Sequence, residues 1–201
     1  MKIKLDDLNT ILTKLIEKIK NEGFFEIKII DSWYWHICND SMLENKDIES
    51  NLGIGSFKDD FEGLKRLIAN DYASFVDFDR FAFIIISIEL KISGHIEQIN
   101  KDSHPIIAEI KLKELSKILI QLIKAAKILG FEEVELMQDS YKKICIQSLT
   151  DITKDPEICT GSLVNDFTIL NKILHNKEKV SLYDFERFAY LLIAVKKQLM
   201  Q

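Results

Sequence analysis

The sequence has few of the residues that interrupt a fold. Among 201 residues there are only 7 glycines and 2 prolines, a composition that disfavours long flexible linkers and favours a compact chain. No apolar run approaches the roughly 18 residues that cross a bilayer, and the first residues lack the apolar region of a signal peptide. We therefore expect a cytoplasmic protein without membrane-spanning segments.

Residues of metal, redox and catalytic sites are also scarce. The three cysteines include no CxxC pair, so we expect unpaired thiols in a reducing compartment. The four histidines show no metal-ligand spacing, and the chain contains no GxxxxGKS/T, GxGxxG or HExxH motif. A nucleophilic pair of Cys38 and His36 is disfavoured, because the cysteine occupies an apolar position that recurs at Cys145. These absences predict a protein that is not an enzyme and has neither cofactor nor metal.

Positive charge is deficient in the first half of the chain. Residues 1–106 carry 13 Lys and Arg against 19 Asp and Glu, a net charge of −6, whereas residues 107–201 carry 14 against 13, a net charge of +1. An acidic chain without a basic stripe is a poor candidate for binding nucleic acid. Seven acidic side chains fall within residues 39–62: Asp40, Glu44, Asp47, Glu49, Asp59, Asp60 and Glu62.

What the sequence does contain is an internal repeat, with an offset of about 107 residues. The segment GSFKDDF at residues 55–61 returns as GSLVNDF at residues 161–167. The apolar positions at helical spacing in residues 5–16 also return in residues 112–123. Such an extended match predicts a tandem duplication.

Each copy is predicted to contain a helix, a β-hairpin and two helices. The resulting fold class is α+β, with two αββαα modules at residues 1–92 and 107–201, related by a pseudo-two-fold axis and joined by a linker at residues 93–106. Whether the two hairpins share one sheet stays open. The predicted elements are 5–21, 24–30, 33–38, 56–69 and 77–92 in the first copy, and 107–129, 131–137, 141–147, 163–175 and 183–199 in the second.

The repeated polar residues have the spacing of helix caps and ion pairs. Ser56 and Ser162 each precede a helix, where a serine oxygen accepts hydrogen bonds from free backbone amides. An aspartate begins each last helix, with an arginine three residues later on the same face. Capping and ion pairing explain these residues, and the alternative is that they form two polar sites. The pairs are Asp77 with Arg80 and Asp184 with Arg187.

The two copies differ most in their second predicted strand and in the loop after it. The first copy reads WYWHIC at residues 33–38, and the second reads SYKKIC at residues 140–145. Interfaces favour large aromatic anchors, so two tryptophans beside an acidic loop predict a partner-binding surface, unless the linker or the other module covers them. Its candidate residues are Trp33, Trp35, His36, Asp40, Glu44, Asp47 and Glu49.

The aromatic strand YWHI at residues 34–37, followed by GSF at 55–57 and DFDRFA at 77–82, resembles small bacterial proteins, some of which look like immunity proteins of toxin systems. The second copy matches this pattern less well, because Lys142 and Lys143 replace the aromatic pair. The resemblance implies an immunity function and carries over no activity or catalytic residue.

The leading hypothesis is a non-enzymatic bacterial protein that binds a protein partner, with an acidic first module suited to a basic toxin. An alternative is an enzyme or small-ligand protein with a pocket between the modules, lined by Tyr34, Arg80, Tyr141 and Arg187. A third is a structural subunit that self-associates. The sequence leaves the oligomeric state open.

Overall fold

Each half of the chain opens with a short strand that leads directly into a long helix. A second short strand follows each of these helices, and two further helices complete each half. The computed structural model describes residues 1–29, 57–69, 73–93, 108–136 and 162–200. The elements of the first half are β1 (Lys2–Lys4), α1 (Leu5–Asn21), β2 (Glu26–Ile29), α2 (Phe57–Ala69) and α3 (Val76–Ile92). Those of the second half are β3 (Ala108–Lys111), α4 (Leu112–Ile128), β4 (Glu133–Glu135), α5 (Leu163–Leu174) and α6 (Tyr183–Leu199).

The mixture of six helices and two small antiparallel sheets in these residues confirms the predicted α+β class. The predicted helix at 5–21 has the bounds of α1. The helices predicted at 56–69, 77–92, 163–175 and 183–199 agree with α2, α3, α5 and α6 to within one residue at each end. Helical apolar spacing over several turns is the signal that made these elements predictable.

Each sheet takes one strand from each half of the chain. β1 pairs with β4, and β2 pairs with β3, both antiparallel. At every exposed position of the two ladders a lysine faces a glutamate, and opposite charges facing each other across strands stabilise a sheet. These pairs are Lys2 with Glu135, Lys4 with Glu133, Lys28 with Glu109 and Lys111 with Glu26.

The prediction of a helix from residue 107 is wrong for its first residues, because Ala108–Lys111 form β3 and the helix begins at Leu112. The strand β1 was not predicted either. Three or four residues are too few to show an alternation, and the backbone partners of β1 and β3 lie far away in sequence. The second strands of the predicted hairpins, at 33–38 and 141–147, lie outside the described residues.

The core is continuous between the two halves. Helices α3 and α6 form the most extensive helix–helix contact among the described elements, and α1 packs against α4. The strands β2 and β4 contact α3 and α6, respectively. Phe78 and Phe81 of α3 lie in the same buried cluster as Phe185 and Phe188 of α6. These phenylalanines therefore contribute to one core that both halves share.

Two glycines end the helices that follow β1 and β3. Gly23 and Gly130 have φ angles of 94° and 93°, in the region that side chains with a Cβ atom avoid. After α1, the amide of Gly23 donates to the carbonyl of Lys20 at 3.0 Å and that of Phe24 donates to Ile19 at 3.1 Å. This is the Schellman arrangement, which satisfies the last free carbonyls of a helix.

Replacing Gly23 with alanine is expected to lower the free energy of unfolding by about 1 kcal/mol, because its backbone conformation is strained for any residue with a Cβ atom. Gly63 provides the matched control, since it lies inside α2 and nothing lies within 4 Å of a Cβ built there. Gly63→Ala should raise the stability by about 0.5 to 1 kcal/mol. Urea unfolding of both variants measures the two changes, and equal shifts of the same sign would contradict the assignment.

Candidate functional site

The first cluster of repeated polar residues lies where α2 meets the start of α3. Asp77 accepts hydrogen bonds from the backbone amide and the hydroxyl of Ser74 at 2.8 and 2.9 Å. Arg80 donates from Nη1 to Asp77 Oδ1 at 2.8 Å, and its Nε lies 2.9 Å from Asp60 Oδ1 on α2. Both aspartates are buried. We call these four residues, Asp60, Ser74, Asp77 and Arg80, the first ion cluster.

A second cluster has the same design between α5 and α6. Asp184 accepts from the amide and hydroxyl of Ser181 at 2.7 and 2.9 Å. Arg187 donates from Nη1 to Asp184 Oδ1 at 2.7 Å, and from Nε to Asp166 Oδ1 at 3.2 Å. We call Asp166, Ser181, Asp184 and Arg187 the second ion cluster.

The clusters confirm the predicted ion pairs and extend them to a third charged group. The fork of a guanidinium can hold two carboxylates at once, so each arginine also binds an aspartate from the preceding helix. Asp60 and Asp166 lie in the first turns of α2 and α5, and each also contacts the arginine of the following helix. Each aspartate that begins a last helix reaches back to the amide three residues earlier, as in a capping box. Chemically, these contacts orient neighbouring helices.

The serine caps are confirmed in the second half. The amide of Asn165 donates to Ser162 Oγ at 3.4 Å at the start of α5. The equivalent Ser56 lies outside the described residues.

The seam between α3 and α6 contains charges that the sequence reasoning missed. Asp79 binds Lys196 Nζ through Oδ2 at 2.8 Å. Burial raises the pKa of Asp79, and Lys196 partly offsets this effect. At the other end of the seam, burial raises the pKa of Glu89 to about 7, and the negative charge of Glu186 acts in the same direction. A signal was present, since positions 89 and 196 are related by the repeat offset but carry opposite charges.

Most of the predicted site residues lie outside the described part of the chain. Of the candidate pocket, Arg80 and Arg187 are described, and each guanidinium binds carboxylates of its own half. They line neither of the two cavities whose walls are described. The residues outside are Trp33, Trp35, His36, Asp40, Glu44, Asp47 and Glu49 of the candidate surface, and Tyr34 and Tyr141 of the candidate pocket.

An open groove of about 320 Å³ lies between α1 and the segment after α5. Lys14 lies at this groove, and its Nζ donates to the carbonyls of Ile173 and Leu174 at 2.9 and 2.8 Å and to the side chain of Asn176. This lysine therefore caps the C-terminal end of α5, where a cation is favoured by the helix dipole. These hydrogen bonds explain the position of Lys14 in the groove by its role in the fold.

Among the described residues, no group of three or more His, Cys, Asp and Glu side chains could hold a metal ion. None of the helices described there combines the length and the apolar character that crossing a bilayer requires. The chain matches no protein-family model, and searches of curated proteins and of solved structures find no significant match. The function must therefore be inferred from the residues and contacts of this chain.

Proposed function

We propose that this chain is a non-enzymatic protein-binding protein, and that residues 33–49 of its first half carry the binding side chains. The observation that supports this most is the difference between the polar residues that recur in both halves and those that do not. Those that recur in both halves are held in the two ion clusters, where each arginine already binds two carboxylates. Both tryptophans and 19 of the 32 acidic residues lie in the first half. A function specific to this chain is therefore best sought there.

The charge of this segment indicates the chemistry of the partner. The first half carries the whole net negative charge of the chain, and four acidic residues follow the tryptophans within 14 positions. A basic partner would be attracted by this field, and the aromatic side chains would supply the buried anchors. The resemblance to immunity-like proteins of bacteria adds a basic toxin as the specific candidate, in the cytoplasm where unpaired cysteines persist.

We also propose that the fold arose by tandem duplication, with the halves related by a pseudo-two-fold axis. Adding 107 to one member of a strand pair and subtracting 107 from the other converts the pairing of Lys2 with Glu135 into that of Lys28 with Glu109. The same operation converts the hydrogen bond from Leu5 to Glu132 into that from Leu112 to Phe25. The two ion clusters support the proposal in the same way. Under this proposal, the residues that break the symmetry are those acquired for function.

The binding proposal predicts that changing Trp33 and Trp35 together to alanine weakens the complex with a basic toxin encoded next to this gene. Loss of two aromatic anchors should raise the Kd roughly a hundredfold. Neutralising Asp40, Glu44, Asp47 and Glu49 should lower the association rate and remove most of its salt dependence. Calorimetry, and stopped-flow binding at about 50 mM and about 500 mM salt, measure both effects.

The control for charge is a variant with the same number of neutralised carboxylates elsewhere: Glu17, Glu114, Glu135 and Glu178, each changed to glutamine. This control should bind like the wild type. The proposal fails if no neighbouring gene product binds the chain, or if the tryptophan variant and the control bind equally well.

A further inference from the structure

Glu89 is a buried carboxyl at the contact between the two halves of the chain. It lies near the end of α3 with only 4% of its surface exposed. Glu186, in the first turn of α6, acts on it from the opposite half. Tyr190 lies one turn further along α6 and donates its hydroxyl to Glu186 Oε1 at 2.7 Å. Glu186 is therefore bound to Tyr190 and acts on the buried Glu89 through its charge, where the two helices pack.

At the other end of the same seam, a carboxylate is paired with a cation. There Asp79 near the start of α3 meets Lys196 near the end of α6. The repeat offset relates position 79 to 186 and position 89 to 196, so Glu89 stands where a lysine would repeat the Asp79–Lys196 ion pair. One end of the seam thus joins opposite charges, and the other joins two acids.

The surroundings of Glu89 disfavour its charged form. Burial is the largest effect, the carboxylate of Glu186 acts in the same direction, and a hydrogen bond with the side chain of Ser93 acts against both. Within the described residues, no cation from α2, α4 or β2 acts on Glu89. A carboxylate that is buried beside another carboxylate is costly to ionise, so protonation relieves both the desolvation and the repulsion.

We infer that Glu89 and Glu186 form a proton-dependent clamp between α3 and α6. With a proton on Glu89, the two helices pack without an uncompensated charge. When this proton is lost, a buried negative charge lies near Glu186, and this part of the contact between α3 and α6 is weakened. The clamp is independent of any partner and responds to pH near neutrality.

The sign of the pH dependence follows from the pKa of Glu89, which rises from an ordinary value of 4.5 to about 7 in the folded chain. Between these two values the folded state holds a proton that the unfolded state has released. The folding equilibrium constant should therefore fall as pH rises through this window, by up to about tenfold per pH unit. Above the window, Glu89 contributes no further change.

Urea unfolding of the whole chain tests the clamp. Measurements at about pH 5, 6, 7 and 8 cover most of the interval between the ordinary and the raised pKa of Glu89, and one point above it. The midpoint of the wild type is expected to fall between about pH 5 and about pH 7, and Glu89→Gln should lose this decline because an amide has no proton to release. Glu89→Lys should also lose the decline, since it recreates the acid–lysine pair of the opposite end. Glu17→Gln, a change at an exposed position of α1, should keep the wild-type profile.

A direct titration needs no variant. The carboxyl carbon of Glu89, observed by NMR in the folded wild-type chain, should titrate with a midpoint near 7, and Glu186→Gln should lower that midpoint. A midpoint at the ordinary value of a glutamate would overturn the inference. So would the same pH dependence of unfolding in Glu89→Gln and in the wild type.

Discussion

Replacing Arg187 with methionine is expected to lower the free energy of unfolding by about 3 to 5 kcal/mol, because it leaves uncompensated charges in a buried site. The side chains of Asp166 and Asp184 are each only 2% exposed and both bind this guanidinium. Methionine keeps the apolar length of the side chain, so the loss reports on charge and hydrogen bonding. Urea unfolding near neutral pH, compared with the wild type, measures the difference.

Two further variants distinguish this loss from a general effect of removing a cation. Lys172→Met breaks a pair with Glu178 whose side chains are 49% and 43% exposed, and exposed pairs contribute at most about 1 kcal/mol. Arg187→Lys should restore part of the stability only, because one ammonium group cannot reproduce the two contacts of the fork. If Arg187→Met were as mild as Lys172→Met, the second ion cluster would not hold α5 against α6.

Replacing Phe81 with alanine is expected to cost about 3 to 5 kcal/mol and to destabilise both halves together. Phe81 lies in α3 with none of its surface exposed, and α3 packs along α6 of the other half. Each sheet also joins one strand from each half. Loss of packing in the first half should therefore be transmitted to the second half through contacts that the halves share.

Native-state hydrogen exchange resolves the two halves separately. Amides of α3 and α6 should open at the same reduced free energy in Phe81→Ala. Val164→Ala, at a side chain that is 57% exposed on α5, should change stability by less than about 0.5 kcal/mol. Protection that persists in α6 while α3 opens would show that the halves fold independently and that the shared core has little energetic weight.

The long helices were predictable because their apolar residues repeat at helical spacing through several turns. Leu5, Leu8 and Ile11 in α1 are all buried, as their spacing requires. The short strands were not predictable from pattern alone. Ile3 and Ile110 are single buried residues between exposed neighbours, and only their distant partners in β4 and β2 stabilise an extended backbone there.

In each ion cluster, one of the two ion pairs was predictable from local spacing and the other was not. Arg80 lies three residues after Asp77 in the same helix, so local spacing shows the pair. Asp60 belongs to the preceding helix, and no local pattern indicates that it reaches the same guanidinium. The candidate binding residues remain a prediction of the sequence, since they lie outside the described residues.

The sequence by itself determined the positions of most helices, the cap at Ser162 and the repeat of polar residues, because these depend on interactions within a few residues of each other. Only the tertiary structure decided how the halves combine. Three features join residues that are distant along the chain. They are the pairing of strands from different halves, the second carboxylate on each arginine, and the effect of Glu186 on Glu89. Such contacts depend on how whole elements pack, and a local pattern of residues therefore does not predict them.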